Sequence, residues 1–128
     1  MLTLEMIQEA RTALEGGARV TPLNEAKNLG KNVYIKAENL QKTGAFKLRG
    51  AYYKISQLTE QEKAAGIVAC SAGNHAQGVA LSAKKLGCKA TIVMPETTPE
   101  IKINAVRSYG ATIVLHGDSY SDTYEELH

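Results

Sequence analysis

The chain has 128 residues, of which 44% are hydrophobic, and 15 basic against 13 acidic side chains give it a formal net charge of +2. This length suits one ordinary domain, and a near-neutral chain without like-charge runs gives no reason to expect nucleic acid as a partner. No apolar run approaches the roughly 20 residues of a membrane span, and the start of the chain is too acidic for a signal peptide, so we expect a cytoplasmic protein with no membrane partner.

The first part of the chain predicts a helix, an irregular stretch, a strand and a second helix. The first helix is amphipathic and ends at a pair of glycines, 16 and 17, where a left-handed cap forms easily. Residues 18–32 predict a loop, and residues 33–38 alternate as a β-strand does. A second helix beginning near Ala45 would form one apolar face. The positions of that face are Leu48, Ala51, Ile55 and Leu58.

From residue 66 onward, strands and helices alternate regularly. Residues 66–70, 89–95 and 111–117 are apolar runs typical of buried strands, and the segments between them are helical patterns closed by glycine. Thr98 is the predicted N-cap of the second of these helices, with Pro99 as its first residue. This order predicts an α/β fold with a parallel, doubly wound sheet and right-handed crossovers.

The same region contains both cysteines and the C-terminal end of the chain. Cys70 ends a predicted strand and Cys88 follows a predicted helix, and we expect both to be buried or half-buried free thiols. Residues 117–128 begin like a further helix, with Asp118 or Ser119 as cap, but end at His128 without a closing glycine. We therefore expect the chain to be the N-terminal part of a longer protein.

Lys47 directly follows Phe46, the only phenylalanine of the chain, at the predicted start of the second helix. Amide dipoles present partial positive charge at a helix start, and the margin of an apolar face is partly buried. Both effects favour the uncharged amine, which can act as a nucleophile. The alternative is a stem that lies along the apolar face while the ammonium group reaches water.

A second candidate site is the predicted turn formed by Ser71, Ala72, Gly73, Asn74 and His75. The carboxyl end of a parallel strand that leads into a helix is where α/β sheets bind ligands. The small residues let a ligand approach the backbone amides, which would hold a carboxylate or a phosphate, and Asn74 adds a side-chain donor and acceptor. The same residue types are also ordinary in turns and helix caps, so the turn alone leaves both readings open.

The stretches TGAFKLRGA (43–51) and SAGNHAQGVA (71–80) together resemble the threonine dehydratase and serine racemase branch of the type II pyridoxal-phosphate enzymes. The likeness includes TPL at 21–23 and implies an incomplete tryptophan-synthase-β-like fold. By this resemblance Lys47 would form the Schiff base with pyridoxal 5'-phosphate, Phe46 would pack against the cofactor ring and Asn74 would bond the ring hydroxyl. The substrate carboxylate would be received by Ser71, Ala72, Gly73, Asn74 and His75.

The resemblance implies a β-elimination on L-threonine or L-serine, which turns threonine into 2-oxobutanoate and ammonia, with Lys47 removing the Cα proton. The similar serine racemases carry a second serine at the position of Ala72, and its hydroxyl works on the opposite face of Cα. Because Ala72 has no hydroxyl, the sequence favours threonine dehydratase. Serine racemase or L-serine dehydratase remains the alternative, and biosynthetic or catabolic use stays open.

Other polar residues receive no catalytic role at this stage. His75 is expected to pack or form a hydrogen bond at the helix start, and Arg49 to orient the loop or pair with a carboxylate. His116 and Asp118 follow a strand end, but two ligands without a third are weak evidence, so no metal site is predicted.

The family that this sequence resembles holds the cofactor phosphate in a glycine-rich loop and places a partner against the pyridine nitrogen. Both lie far downstream of the lysine, and this chain has no counterpart of them. We expect residues 1–57 to begin the large cofactor domain and residues 58–128 to form the small lobe that closes over substrate, truncated in its last helix. The isolated chain would then hold the cofactor weakly or not at all and be inactive. A non-catalytic fragment or assembly module remains an alternative, and unburied apolar faces predict a homo-oligomer.

Overall fold

The computed structural model describes residues 1–119 and 121 of the chain. Its helices are α1 (Leu4–Ala13), α2 (Lys47–Ser56), α3 (Glu60–Ala65), α4 (Asn74–Lys85) and α5 (Glu100–Arg107). Its strands are β1 (Leu23–Glu25), β2 (Tyr34–Lys36), β3 (Ile67–Cys70), β4 (Ala90–Met94) and β5 (Thr112–Leu115). None of the described helices is long and apolar enough to cross a lipid bilayer.

A parallel sheet with the strand order β3-β4-β5 forms the frame of the second half of the chain. Helix α4 connects β3 to β4 and α5 connects β4 to β5, as parallel pairing requires. The strands stand in register, with Ala69 opposite Ile92 and Ile92 opposite Ile113. The predicted α/β class with a parallel sheet is confirmed.

The core lies where α4 packs between the sheet and α2. Ile92 and Met94 of the central strand and Ala76 of α4 are fully buried. Small residues such as Ala80 and Ala83 let α4 approach its neighbours closely. The predicted apolar face of α2 is confirmed, because Leu48, Ala51 and Ile55 are buried and Leu58 packs against the core just beyond the helix.

Helix α1 is attached to this core through its C-terminal turn, since none of its own residues is buried. Gly16 adopts a left-handed φ of 75°, which is the predicted glycine end of the helix. The Lys85 ammonium of α4 donates hydrogen bonds to the carbonyls of Gly16 at 2.9 Å and Gly17 at 3.1 Å. Gly17 also lies directly against the ring of Tyr52. One cation and one aromatic ring therefore tie the end of α1 to α4 and α2.

We expect Gly17→Ala to lower the free energy of unfolding by about 1–3 kcal/mol, as overpacking of a buried contact does. The added Cβ would lie 2.4 Å from Cε1 of Tyr52, so the ring would have to move. Urea denaturation measures the change, with Gly50→Ala as the control because a Cβ there meets no atom within 4 Å. Equal midpoints for Gly17→Ala and the unmodified protein would contradict the prediction.

Two elements differ from the sequence-based expectation. Residues 18–32 are not simply a loop, because β1 lies within them and pairs antiparallel with β2. Helix α3 was not predicted at all. It begins with a complete capping box, in which the Thr59 side chain accepts from the Glu62 amide and the Glu62 carboxylate accepts from the Thr59 amide.

The predicted start of α5 is wrong by one residue. The helix begins at Glu100 with Pro99 as N-cap, so Thr98 does not cap it. The Thr98 amide instead bonds to the Pro95 carbonyl at 3.0 Å, which places Thr98 in the preceding turn. Both cysteines are buried and free, as predicted. The helix predicted after Asp118 or Ser119 lies mostly outside the described residues, and the division between residues 57 and 58 stays a prediction.

Candidate active site

The two predicted site segments meet where the N-terminal ends of α2 and α4 pack together. Lys47 is the first residue of α2, and Asn74 is the first residue of α4. Gly78, one helical turn after Asn74, touches the backbone of Lys47 and Leu48. The structure therefore brings Lys47 beside the turn that follows β3, although the two segments are separated along the chain.

The turn between β3 and α4 presents unused hydrogen-bond donors. The Ser71 amide donates to the Val93 carbonyl at 3.1 Å and extends the sheet by one residue. The Ser71 hydroxyl then accepts from the Gly73 amide at 3.3 Å, which shapes the turn. No side chain caps the helix start at Gly73. The first amides of α4 are thus available to an anion, and the helix dipole adds to the attraction.

Lys47 and Phe46 form the other wall of the site. The Lys47 amine lies 5.4 Å from the centroid of the Phe46 ring, and both side chains are exposed. Phe46 keeps 60% of its surface accessible, which leaves an aromatic face open to a planar ligand. Helix α2, like α4, has no side-chain cap at its start. An amine and an aromatic ring are therefore accessible at the start of α2, and the exposed Asn74 amide is accessible at the start of α4.

The segment that leads into Lys47 is held by a polar network. The buried Gln41 side chain accepts from the Arg19 amide at 2.9 Å and donates to the Arg19 carbonyl at 2.8 Å. Glu38 accepts from the Thr21 hydroxyl at 2.6 Å and lies 3.9 Å from the Arg49 guanidinium. Arg49 thus pairs with a carboxylate, which is one of the two roles predicted for it. The network fixes both the approach to α2 and its first turn.

His75 lies close enough to Lys47 for the positive charge of Lys47 to change the pKa of the imidazole. Partial burial lowers the pKa of the His75 imidazole, and the positive charge of Lys47 lowers it further. Both causes favour the neutral ring. A neutral imidazole can donate through one nitrogen and accept through the other, so His75 can take part in binding without adding positive charge.

We expect His75 to make the fold less stable as the pH falls through about 6.5, the usual pKa of histidine. Its pKa in the folded state lies below its value in the unfolded chain, so the unfolded chain binds more protons in this window and stability is lost on acidification. The effect is small because the side chain is more than a third exposed. Urea midpoints measured on both sides of this window should fall more for the natural protein than for His75→Gln. Identical slopes would contradict the expectation.

The sequence-predicted residues fall into two groups in the structure. Ser71, Ala72 and Gly73 are half-buried at the end of β3, whereas Asn74 and His75 are exposed at the start of α4. Sequence reasoning missed Gly78, which brings the two helix starts together. The only local signal was a glycine inside a helical pattern. Among the described residues, no cluster of three or more His, Cys, Asp or Glu side chains could hold a metal ion.

A parallel α/β fold with a lysine and an anion-accepting helix start at the carboxyl edge of its sheet is the frame of a cofactor-dependent enzyme. Residues 14–128 match the sequence profile of the pyridoxal-phosphate dependent enzymes, and the chain belongs to that family. Its solved structural relatives include threonine deaminases and serine racemases, so its fold is that of the type II enzymes, as the sequence implied.

Named relatives narrow the likeness further. The chain is 49% identical over 128 residues to the catabolic L-threonine dehydratase TdcB of Staphylococcus aureus, covering 96% of this chain and 37% of the relative. It is 54% identical over 109 residues to the biosynthetic L-threonine dehydratase IlvA of Haemophilus influenzae, covering 82% and 21%. The chain therefore matches little more than a third of the length of the first relative and about a fifth of the second.

Two solved structures show the same arrangement of elements. A processed threonine deaminase isoform of Solanum lycopersicum superposes with a TM-score of 0.81 at 41% identity, covering 95% of this chain and 36% of that one. Serine racemase of Dictyostelium discoideum superposes with a TM-score of 0.90 at 37% identity, covering 98% and 42%. Overall shape therefore does not separate the two activities.

The side chains present fit the aldehyde and the planar ring of pyridoxal phosphate. Lys47 offers a primary amine for its aldehyde, and the accessible Phe46 ring offers a face for its ring. The exposed Asn74 amide offers a donor and an acceptor to ring substituents. The uncapped start of α4 suits a carboxylate. These groups match the chemistry of the aldehyde and ring of the cofactor and of the carboxylate of an amino-acid substrate.

Proposed function

We propose that this protein deaminates L-threonine with pyridoxal phosphate and releases 2-oxobutanoate and ammonia. The observation that supports this most strongly is the 49% identity with an L-threonine dehydratase across the whole region that contains Lys47 and the turn after β3. The geometry adds that these two segments lie side by side. Neither segment could serve this chemistry alone.

Within this proposal each wall of the site has its own task. Lys47 attaches the cofactor, Phe46 packs against its ring and Asn74 bonds a ring substituent. The turn receives the substrate carboxylate, and the residues that do so are Ser71, Ala72, Gly73, Asn74 and His75. Support comes from the amides left uncapped at the start of α4 and from the small side chains that leave the backbone accessible.

Pyridoxal phosphate, when bound, withdraws electrons from the α-carbon of an attached amino acid. The Nζ atom of Lys47 is the base that removes the Cα proton, and the β-hydroxyl of threonine leaves as water. That water is regained when the product is hydrolysed, so threonine is converted to 2-oxobutanoate and ammonia without net gain or loss of water. Uncharged Lys47 is required for the first of these steps.

The direct test is product analysis on the full-length protein with bound cofactor. L-threonine should yield equal amounts of 2-oxobutanoate and ammonia. L-serine should be converted to pyruvate faster than it is converted to D-serine. Chromatography of the oxo acids and chiral chromatography of the remaining serine measure both. Formation of D-serine without an oxo acid would replace the proposed activity with racemisation, and no turnover of either substrate would reject it.

Association into a homo-oligomer belongs to the same proposal, as does a cytoplasmic location. The N-terminal segment supports association because it exposes large apolar side chains. These are Leu2, Leu4, Met6 and Ile7.

We expect the 128-residue chain to self-associate in solution and the double substitution Met6→Lys with Ile7→Lys to weaken the association at least about tenfold. Charges placed in an apolar contact would have to be desolvated. Light scattering over a concentration series measures the effect. Gln8→Lys is the control, because Gln8 belongs to the polar side of α1 with Glu5 and Glu9. A monodisperse monomer, or equal weakening by the control, would contradict the expectation.

A further inference from the structure

We propose that Gly78 is a positioning residue whose missing side chain sets the distance between Lys47 and the turn that binds substrate. The inference rests on the proposed function for the role of Lys47, but the contact itself does not. Nothing in the chemistry of glycine reaches the substrate. Gly78 would act only through the place that it gives to Lys47.

The contact at Gly78 is between two helix backbones. A Cβ built on Gly78 would lie 3.1 Å from the Leu48 nitrogen, 3.1 Å from the Lys47 carbonyl carbon and 3.2 Å from the Lys47 carbonyl oxygen. Carbon atoms in ordinary contact are about 3.5–4.0 Å apart. Since all three neighbours are backbone atoms, no change of rotamer can relieve the crowding. A single methyl group would force the helices apart by a few tenths of an ångström.

The displacement would fall on the start of α2. Helix α4 is buried against the sheet through Ala76, Val79 and Ala80, and Ser82 donates a hydrogen bond of 2.6 Å to the Gly78 carbonyl. Helix α4 also packs against β3, β4 and α5, whereas α2 packs mainly against α4, so we expect α2 to take up most of the separation.

The same displacement would reach the reacting groups. Residues four apart lie on the same face of a helix, so Gly78 is on the same face of α4 as Asn74. The contact with Lys47 is therefore one turn from the substrate-binding end of α4. A proton-transfer group displaced by about 1 Å costs roughly 100-fold in rate. A shift of a few tenths of an ångström is therefore expected to cost about tenfold.

The test compares Gly78→Ala with Gly50→Ala in the full-length protein. Both replace a helix-interior glycine by alanine and gain the same helix propensity, but the Cβ added at Gly50 meets no atom within 4 Å. We expect kcat for threonine to fall about tenfold in Gly78→Ala while KM stays within about twofold, because the turn at the start of α4 does not move. Gly50→Ala should keep the natural kcat and KM.

A second readout needs neither cofactor nor turnover. Partial burial and, after it, the charge of Lys47 lower the pKa of His75, so moving α2 away from α4 should raise that pKa toward its ordinary value. Lys54 lines the same cavity of about 310 Å³ as His75 and moves with α2. NMR titration of the His75 ring in Gly78→Ala, Gly50→Ala and the natural protein measures the shift.

The outcomes separate the inference from the function on which it rests. If the natural protein does not deaminate threonine but the His75 titration moves in Gly78→Ala alone, the proposed function fails and the positioning contact stands. If the natural protein deaminates threonine and Gly78→Ala retains kcat and the His75 titration, the inference is overturned. Equal losses in both glycine variants would also overturn it.

A second variant covers the case in which Gly78→Ala does not fold. Leu48→Val removes one methylene from the fully buried side chain of the residue whose amide nitrogen lies against Gly78, and it loosens the packing of the first turn of α2. We expect a smaller fall in kcat and a rise of the His75 pKa in the same direction. No change in either quantity would count against Gly78 as the determinant of the position of Lys47.

Discussion

In the full-length protein, Lys47→Ala should lower the rate of threonine deamination by a factor of about 10³ or more, because it removes both the nucleophile for the cofactor and the base for the Cα proton. The fold should survive. Lys47 is exposed, and its amine lies 5.4 Å from the centroid of the Phe46 ring, an interaction worth about 0.5–1 kcal/mol at an exposed site. Oxo-acid formation and the urea midpoint, measured on the same sample, separate the two effects.

The matched control is Lys54→Ala, which removes an exposed lysine from the last turn of the same helix. It should leave turnover within about twofold of the natural value. Near-natural turnover of Lys47→Ala would remove Lys47 from its assigned role. Equal losses in both variants would show that the positive charge of α2 matters and that this amine does not.

The variant Ala72→Ser should raise the formation of D-serine from L-serine by at least about tenfold without improving deamination. Ala72 is half-buried in the turn that follows β3, where the half-buried Ser71 already supplies one hydroxyl. A second hydroxyl at this position would return a proton to the face of Cα opposite Lys47, and general acids placed in this way contribute about 10²–10⁴-fold. Chiral chromatography of serine, with pyruvate measured in parallel, gives the ratio of the two products.

Ala64→Ser is the control for this second prediction, because it adds the same hydroxyl on the exposed surface of α3. It should change neither product. If the natural protein already forms D-serine as fast as pyruvate, the missing hydroxyl at Ala72 does not decide between the two activities. That outcome would favour racemisation, the activity of a relative that superposes with a TM-score of 0.90.

The sequence predicts elements in which a pattern of apolar residues repeats within one segment of the chain. The apolar face of α2 spans several turns, and the helices from residue 74 onward end at glycines. Helix α3 has six residues and none of them is buried, and β1 lies in a stretch whose Pro22 and Gly30 indicate a loop. The spacing of Thr59 and Glu62 was the one available signal for α3.

The sequence predicts the members of the candidate site, but it does not predict how close together they lie. Lys47 and the turn from Ser71 to His75 stand out as motifs in the printed sequence. Their adjacency depends on the packing of α2 against α4, which includes a close backbone contact at Gly78. Long-range contacts of this kind follow from the assembled core and cannot be read from one segment at a time.

The most direct measurement of the central claim is to locate the covalent attachment of the cofactor. The full-length protein with pyridoxal phosphate is reduced with borohydride, which makes the bond between cofactor and lysine permanent, and its peptides are then analysed by mass spectrometry. We expect the adduct on the peptide that contains Lys47, between Phe46 and Leu48, and we expect it to disappear in Lys47→Ala. An adduct on any other lysine, with Lys47 unmodified, would contradict the assignment of this site.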